Sequence, residues 1–474
     1  MSPSLILSII VIYFLILLLI AFIGRKDNNN YAFFLGNRQS PWYIVAFGML
    51  GASISGISFV SVPGMVAYSG FTYMQMVVGF SIGYVVIAYL LLPLYYKIGT
   101  TSIYEYLGMR FGIHSHRTGT CFFILSRALG GAARIFVTAV IIQTFVFSHW
   151  NIPFWLTSVI LISLIYLYTF TNGIKTIVWT DALQTFFLLS ALIALVIQAL
   201  PLVNFKNVET PQFVVFDINS KADFFKMLLS GIFITITMTG LDQDMMQKNL
   251  SCKSLRDAKK NMLSYGAAFI PINLLFLFLG WMLCIIYANN GQILPANTDN
   301  ILPDAISLSY LGQGATIFFI LGIVSATFSS ADSTLISLTT SISVDLLHSE
   351  QKQEKTAKRI RQYTHIFMCL LFVVLMILFN SIDNRNIIDV LYKIASYTYG
   401  PLLGLFTFGM FTQKKIHDKF VPIIACLSPI ICLIIQLVTN NFFGYELLII
   451  NGLITFLGLI ISSIIYENKN RHLC

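Results

Sequence analysis

The chain has 474 residues, of which 57% are apolar and only 10% are charged, and its mean hydropathy is +0.80. This composition excludes a soluble globular fold and predicts a polytopic membrane protein embedded in the lipid bilayer. The sequence shows no phosphate-binding loop, no metal-ligand spacing among its seven cysteines and no motif for covalent catalysis, so we do not expect an enzyme.

About thirteen apolar segments are long enough to cross a bilayer, starting with a span at 4–23. No basic residue precedes that span and no small-residue cleavage site follows it, so we interpret it as a retained helix. With the N-terminus outside, most Lys and Arg residues fall on cytoplasmic loops, as the positive-inside rule predicts. The formal charge of +9 therefore indicates topology in the plasma (cell) membrane, N-terminus outside and C-terminus inside, and requires no nucleic-acid partner.

The second span, at 41–67, contains residues that interrupt helices. The run from Gly51 to Ser58 reads GASISGIS, and Pro63 and Gly64 follow it. A broken helix exposes backbone carbonyls and amides, which membrane proteins tolerate where they line protein or a cavity, as in secondary transporters. The alternative is ordinary close packing of small residues.

Five charged residues are placed at membrane depth by the spans. They are Arg127 and Arg134 in the fourth span, Asp181 in the sixth, Asp332 in the ninth and Lys393 in the eleventh. Such charges face a bundle interior or an aqueous cavity, so a functional role is the first hypothesis and structural ion pairing is the alternative.

The seventh span reads GIFITITMTG around Thr235, Thr237 and Thr239. It falls five spans after the interrupted second span. Two polar or broken helices at that separation predict two inverted five-helix repeats.

The ninth span is rich in hydroxyl groups, since eleven of the nineteen residues from Ser325 to Ser343 are Ser or Thr. One helix face of this span carries four small residues at helical spacing, with Asp332 at its border: Ala326, Ser329, Ser330 and Ser333. Hydroxyl and carboxylate oxygens are the ligands that small hard cations prefer, so this face predicts an ion site. A stripe of small residues for helix packing is an equal alternative.

Four segments together resemble the solute:sodium symporter family over nearly the whole chain: Gly51–Pro63, WTDALQ at 179–184, GLDQDMMQK at 240–248 and Ser325–Leu346. The resemblance implies an all-α, LeuT-type core of two inverted five-helix repeats, at 41–201 and 202–411. A leader helix and cytoplasmic loop would occupy 1–40, and two peripheral helices with a short tail 412–474. It also implies symport of a small organic solute with one or two sodium ions. We expect a monomer to be functional, although the sequence does not reveal the oligomeric state.

The resemblance also implies ion ligands. A central sodium ion would be bound by the carbonyls of Gly51, Ile54 and Ala326 and by the hydroxyls of Ser329 and Ser330. Members with a second sodium ion hold it beside an aspartate matching Asp181, with hydroxyls at the positions of Ser329, Asp332 and Ser333. Because many members have Ser or Thr where this chain has Asp332, that carboxylate could tighten a second cation, hold a proton or pair with a basic residue.

The substrate positions implied by the resemblance are Ser53, Ser55, Ser58, Tyr73 or Gln75, Arg134 and Lys393. Arg134 matches the arginine that holds the substrate carboxylate in sialic acid carriers, and a guanidinium fork suits a carboxylate. Sugar carriers have an aromatic gate residue where this chain has Met238 and Thr239. We therefore expect an anionic substrate, such as a sialic acid or monocarboxylate. A neutral sugar, polyol or amino acid, carried with sodium or protons, is the alternative.

Overall fold

The computed structural model describes residues 2–23, 30–99, 101–170, 173–205, 209–381, 387–440 and 442–471. Within these ranges the named secondary-structure elements are all helical. The α-helices are α1 Pro3–Ile23, α2 Asn30–Leu35, α3 Trp42–Ser53, α4 Gly56–Ser69, α5 Tyr73–Val86, α6 Leu92–Ile98, α7 Glu105–Arg110, α8 Ile113–Phe145, α9 Phe154–Thr169, α10 Ile174–Ala199, α11 Phe224–Thr235, α12 Gln243–Leu250, α13 Leu255–Asn289, α14 Ile301–Ser307, α15 Gln313–Ser341, α16 Glu354–Asn380, α17 Ile387–Phe411, α18 Val421–Val438 and α19 Leu447–Arg471.

Nine helical segments in the described part of the chain are long and apolar enough to cross a membrane, and two bent helix pairs raise that number to at most eleven. The predicted count of about thirteen is therefore not confirmed. The helix α9, which we counted as a span, is apolar but only 16 residues long.

Two of the spans are broken by the same angle. The helices α3 and α4 meet at a 64° bend, and α11 with its π-helical turn Ile236–Gly240 meets α12 at another 64° bend. At the first break Ile54 and Ser55 are extended, which confirms the interruption predicted from the Gly51–Ser58 run. Pro63 does not cause this break, since it lies inside α4.

At the first break, glycines let the backbone of α3 and α4 lie in close contact with two other helices, α10 and α15. A Cβ atom on Gly48 would lie 2.9 Å from the Cβ of Asp181, and one on Gly51 would overlap the Thr185 hydroxyl. Both partners belong to α10, while α4 begins at Gly56 against Thr327 of α15. Glycine is needed here because no side chain fits between the helices. The break is thereby fixed beside the hydroxyl-rich face of α15.

The leader helix α1 packs against α9, α10 and α15, so it is part of the bundle wall. Its residue Tyr13 is buried and contacts the ring of Phe187, edge to face, at 5.4 Å between centroids. The helices α17, α18 and α19 pack together at the other side, with α17 reaching α8. The hydroxyl-rich helix α15 packs against α1, α8 and α10, and all of its residues from 325 to 341 are buried.

Candidate functional site: a cavity and an oxygen cluster at the first helix break

A cavity of about 80 Å³ opens beside the extended residues Ile54 and Ser55. Its walls come from α3, α4, α5, α8, α11, α12, α13, α17 and the π-helical turn Ile236–Gly240. Five of the predicted substrate residues line it: Ser53, Ser55, Ser58, Tyr73 and Arg134. Met238 and Thr239, at the position of the sugar-carrier gate, line it as well.

The structure does not bring Gln75 to this cavity. The Gln75 amide donates to the carbonyls of Thr72 at 3.1 Å and Ala222 at 3.0 Å, and it accepts from the Val215 amide at 3.4 Å. These contacts fasten the loop before α11 onto the start of α5. The position matched the family pattern, but only the folded loop shows that its amide is used for structure.

Lys393 also lies away from the central cavity. It is exposed and lines a second cavity of about 280 Å³, together with Lys221 and Tyr445. Tyr73 lines both cavities, and its hydroxyl is 3.4 Å from that of Tyr392. Since Tyr392 borders the central cavity, the two tyrosines stand at the boundary between the cavities.

Sequence reasoning missed a hydroxyl chain in the central cavity. The Ser53 and Tyr265 hydroxyls are 2.5 Å apart, and the Tyr265 and Tyr84 hydroxyls are 2.9 Å apart. Aromatic residues in apolar spans are ordinary core residues, so no sequence signal separated these two tyrosines from the rest. Asn273, which also lines the cavity, could have been found as a polar residue two positions after Pro271 in an otherwise apolar helix.

Arg127 is part of a closed ion-pair network. It donates through Nε and Nη2 to Asp242 at 2.5 and 2.7 Å and lies 3.7 Å from Asp244. The Tyr399 hydroxyl also donates to Asp242. For Arg127 the structural ion pair, which the sequence left open, is the arrangement observed.

Arg134 differs from Arg127, although it lies two turns away on the same helix. It is 8% exposed, and its Nε and Nη1 atoms have no hydrogen-bond partner among the described residues. It does not pair with Asp332, whose nearest donors are other groups. The cavity therefore contains a buried guanidinium available to a ligand.

The helix end that would supply carbonyls to the predicted central ion site packs against the hydroxyl-rich helix α15. The helix α3 ends at Ser53, so its last carbonyls lack helical amide partners. A Cβ on Gly51 would lie 3.3 Å from the hydroxyl of Ser329, which places the end of α3 against α15. Ala326, Ser329 and Ser330 are buried on the adjoining face. This set of carbonyl and hydroxyl oxygens is suited to a sodium ion.

Asp181 is buried beside that face and pairs with Lys248, a contact that the sequence does not predict. Its Oδ2 is 2.7 Å from Nζ of Lys248, and its Oδ1 accepts from the Ser329 hydroxyl at 2.7 Å. Because Lys248 follows the seventh apolar span in the sequence, the positive-inside rule places it on a cytoplasmic loop, and this is wrong: Lys248 is 1% exposed. The 64° bend before α12 turns that helix into the protein, and hydropathy does not reveal the turn.

Asp332 is fully buried and surrounded by donors. Its Oδ2 accepts from the Tyr168 hydroxyl at 3.1 Å, and its Oδ1 accepts from the Ser333 amide at 2.5 Å and hydroxyl at 3.1 Å. The Ser333 hydroxyl also lies 3.4 Å from Asp181, so it bridges the two carboxylates. The predicted second-ion residues are thus neighbours, with Lys248 added to them.

The described residues contain no group of three or more His, Cys, Asp and Glu side chains that could hold a metal ion. A family model described as the sodium:solute symporter family matches residues 33–418. The chain belongs to the sodium:solute symporter family. Members are sodium-coupled membrane transporters, so the protein is a multi-pass transporter that uses sodium as its coupling ion and is not an enzyme.

Three comparisons show how far the likeness extends. The chain is 24% identical to a sodium/sialic acid symporter of Aliivibrio fischeri, over 90% of this chain and 86% of the relative. It is 25% identical to the sodium-coupled monocarboxylate transporter 1 of Mus musculus, over 82% of this chain and 66% of the relative. The solved structure of a substrate-bound, outward-open Na⁺-coupled sialic acid symporter superposes with a TM-score of 0.80 at 19% identity, covering 97% of this chain and 98% of that one. The fold is therefore that of LeuT-type transporters.

Proposed function

We propose that this symporter carries a small organic anion, with a carboxylate held by Arg134 in the central cavity. The buried and unpaired guanidinium of Arg134 is the observation on which this proposal depends. A buried charge without a partner is costly, so such a group is retained where a ligand of opposite charge completes it. The planar fork of arginine matches a carboxylate with two parallel hydrogen bonds.

The names of the similar proteins support the same substrate class. The Aliivibrio fischeri relative carries sialic acid and the mouse relative carries monocarboxylates, and both solutes bear a carboxylate. The rest of the cavity adds the hydroxyls of Ser53, Tyr84 and Tyr265 and the amide of Asn273. These groups suit a solute with hydroxyl groups of its own, and a hydroxylated carboxylate would use both sets.

The entry path also favours an anion. Lys221 and Lys393 both line the second cavity, and neither forms an ion pair within the described part of the chain. Their positive charges would raise the local concentration of an anionic solute. The central cavity of about 80 Å³ is smaller than the ~300 Å³ of typical ligand pockets. Tyr73 and Tyr392 would therefore have to separate before a sugar-sized solute could enter.

Coupling would follow from the position of the sodium ion between α3 and α15. An ion bound to the free carbonyls of α3 and to the hydroxyls of Ser329 and Ser330 would join the broken helix to α15. Such an ion favours the conformation in which its ligands meet, so binding it shifts the population toward the substrate-competent state. Release of sodium into a low-sodium cytoplasm would then give the cycle its direction.

The remaining details of our proposal concern topology and assembly. The N-terminus would lie outside and the C-terminus in the cytoplasm, because basic residues concentrate on the loops that this orientation places inside. The residue ranges of the two inverted repeats would be 41–201 and 202–411, each containing one broken span. Since every assigned ligand comes from one chain, a monomer would be sufficient for transport.

A neutral sugar or polyol is the second candidate, favoured by the hydroxyl chain of Ser53, Tyr265 and Tyr84. For such a solute Arg134 would bind a hydroxyl group. The two candidates differ in how strongly uptake depends on the charge and shape of Arg134.

The experiment that tests the proposal begins with thermal unfolding of the purified protein in sodium chloride. Sialic acids, monocarboxylates, amino acids, sugars and polyols would be added in turn, and we expect stabilisation by a carboxylate-bearing solute only. Uptake of that solute into proteoliposomes should require sodium and fail in choline. Arg134→Gln should abolish uptake, whereas Arg134→Lys, the matched control, should retain a weak activity. Stabilisation by a neutral sugar, with uptake unaffected in Arg134→Gln, would replace our proposal with the second candidate.

A further inference from the structure

Basic residues concentrate at the start of α13, away from the cavities described above. Arg256, Lys259 and Lys260 lie at i, i+3 and i+4, which places them on one helix face, and Lys253 precedes the helix. None of the four forms an ion pair within the described part of the chain. The acidic residue of this turn, Asp257, belongs to the helix cap and accepts from a serine hydroxyl at 3.0 Å. This face therefore carries positive charge without an acidic partner.

Two of these lysines are held over aromatic rings. The Nζ of Lys259 lies 4.8 Å from the centre of the Tyr89 ring, and the Nζ of Lys260 lies 5.8 Å from the centre of the Trp42 ring. Tyr89 is in the π-helical turn Ile87–Leu91 and Trp42 is the first residue of α3, and α13 packs against both elements. Tyrosine and tryptophan gather at the level of the lipid headgroups, and lysine extends its ammonium group to that level. The two ammonium groups are therefore placed where lipid phosphates lie.

An exposed apolar row leads away from the two lysines along α5. Its four members recur at helical spacing and are 42–61% exposed: Val78, Ile82, Val85 and Tyr89. The row ends at the ring that contacts Lys259. The neighbouring helix α13 packs against α5 and is exposed from Lys260 through Ser264 to Ala267. The two helices thus present an exposed and largely apolar surface that begins at the two lysines.

The chemistry of this surface matches an anionic phospholipid. Clustered lysines and arginines beside a membrane helix attract a negatively charged headgroup. A zwitterionic lipid brings a cation of its own close to the lysines, so it gains less from them. A soluble anion would use the charges of Lys259 and Lys260 but would leave the apolar row without a partner.

We propose that α5 and α13 form a binding site for one anionic phospholipid. Its phosphate binds the ammonium groups of Lys259 and Lys260, and one acyl chain lies along the exposed row of α5. The site goes beyond the proposed transport function, since neither lysine lines the central cavity. In the proposed topology this end of α13 faces the cytoplasm, so the lipid belongs to the cytoplasmic leaflet. It joins one helix from each proposed repeat and thereby stabilises their contact.

Titration of the purified full-length protein in a neutral detergent tests this site without sodium or solute. Phosphatidylglycerol would be added, the retained lipid counted by native mass spectrometry, and thermal unfolding followed. We expect one tightly bound phosphatidylglycerol and a raised melting temperature, and neither effect with phosphatidylcholine. In the double variant Lys259→Gln with Lys260→Gln, the apparent affinity should fall roughly thirtyfold, equivalent to about 2 kcal/mol.

Three further variants separate the site from a general effect of charge. Lys355→Gln with Lys358→Gln removes the same charge from exposed positions at the start of α16, and it should bind the lipid as the wild type does. Lys259→Arg with Lys260→Arg keeps the charge and should retain binding. Tyr89→Leu keeps an apolar side chain on the exposed row and removes the ring, so it should bind severalfold more weakly. It also tests the site if the double glutamine variant of α13 folds poorly.

Three results would overturn the proposal. The first is a wild-type protein that retains no phosphatidylglycerol. The second is an equal loss of affinity in the glutamine variants of α13 and α16, which would indicate attraction by charge alone. The third is stabilisation by glycerol phosphate equal to that by phosphatidylglycerol, which would indicate a soluble anion. Uptake that proceeds without sodium would defeat the proposed function and leave lipid binding unchanged, so the two failures are distinguishable.

Discussion

The two broken spans bend by the same 64°, but they differ in how far side chains bond to the backbone groups at the break. At the second break the Tyr95 hydroxyl donates to the Gly240 carbonyl at 2.8 Å, and the Tyr104 hydroxyl donates to the Leu241 carbonyl at 2.9 Å. Asp242 caps α12 by accepting from the Asp244 and Met245 amides, and Arg127 neutralises its charge.

At the first break the Gly51 amide donates to the Thr185 hydroxyl at 3.0 Å, but no described side chain donates to the last carbonyls of α3. No side chain caps α4 at Ser55, and the last carbonyls of α3 face the hydroxyls of α15 and the cavity that contains Arg134. Backbone polar groups at membrane depth need partners. We interpret the break whose backbone groups are bonded by side chains as scaffold, and we propose the other one as the site for an ion and a solute. We call the second break, whose carbonyls are bonded by side chains, the closed break, and the first one the open break. The predictions below test the difference between them.

The largest effect should come from Arg127→Met at the closed break. Asp242 would then be a buried charge without its partner, which costs about 3–5 kcal/mol. We expect a large fall in the melting temperature of the purified protein and poor recovery from the membrane. The matched variant Arg134→Met removes an arginine that has no acidic partner in contact, so it should melt near the wild type while losing uptake. Equal destabilisation by both variants would contradict the distinction.

Removal of one hydroxyl from the closed break should cost less. Tyr104→Phe leaves the buried carbonyl of Leu241 without its donor, a penalty of about 1–3 kcal/mol. The sodium concentration for half-maximal uptake should stay the same, because our proposal places no ion at this break. Thermal unfolding and sodium titration of uptake would check both parts. A shift in sodium dependence without loss of stability would indicate that the second break also belongs to the ion site.

Removal of one hydroxyl group from the open break should change the sodium dependence of uptake and leave the stability nearly unchanged. Ser330→Ala should raise the sodium concentration for half-maximal uptake roughly fivefold, equivalent to about 1 kcal/mol of binding free energy. Stability in sodium-free buffer should change little, because the Ser330 hydroxyl donates only to the Thr327 carbonyl of its own helix. Ser337→Ala is the control on the same helix. A similar sodium shift in both variants would remove Ser330 from the site.

The smallest effect should be on the pH dependence of stability, through Glu105, the residue after Tyr104 at the closed break. Burial, with Asp345 and Glu350 nearby, raises the pKa of the half-buried Glu105 from 4.5 to about 7, although His116 and Ser102 act in the lowering direction. The folded protein therefore binds more protons than the unfolded chain between these two values, so this group makes stability fall as pH rises through that window. Glu105→Gln should lessen the fall in melting temperature between pH 5 and pH 8. An unchanged pH profile would show that Glu105 titrates normally.

Much of the site could be predicted from local sequence. Glycines and hydroxyl residues at 51–58 predicted the first break, and the spacing of Ala326, Ser329, Ser330 and Ser333 predicted a hydroxyl face on α15. These features depend on a few consecutive residues, since backbone freedom and helical periodicity are properties of short segments. Family motifs then indicated sodium coupling.

The tertiary structure alone decided which charges are paired. Arg127 and Arg134 lie in the same apolar span, and the sequence does not distinguish them. In the fold Asp242, 115 positions after Arg127, pairs with Arg127, while Arg134 has no ion pair among the described residues. In the same way the bend before α12 brings Lys248 to Asp181, and a folded loop takes up the amide of Gln75. The sequence by itself determined the membrane class, the broken helix and the oxygen-rich face, because these arise from local backbone and hydropathy. The pairing of buried charges depends on which distant segments meet, and that was fixed only when the helices packed.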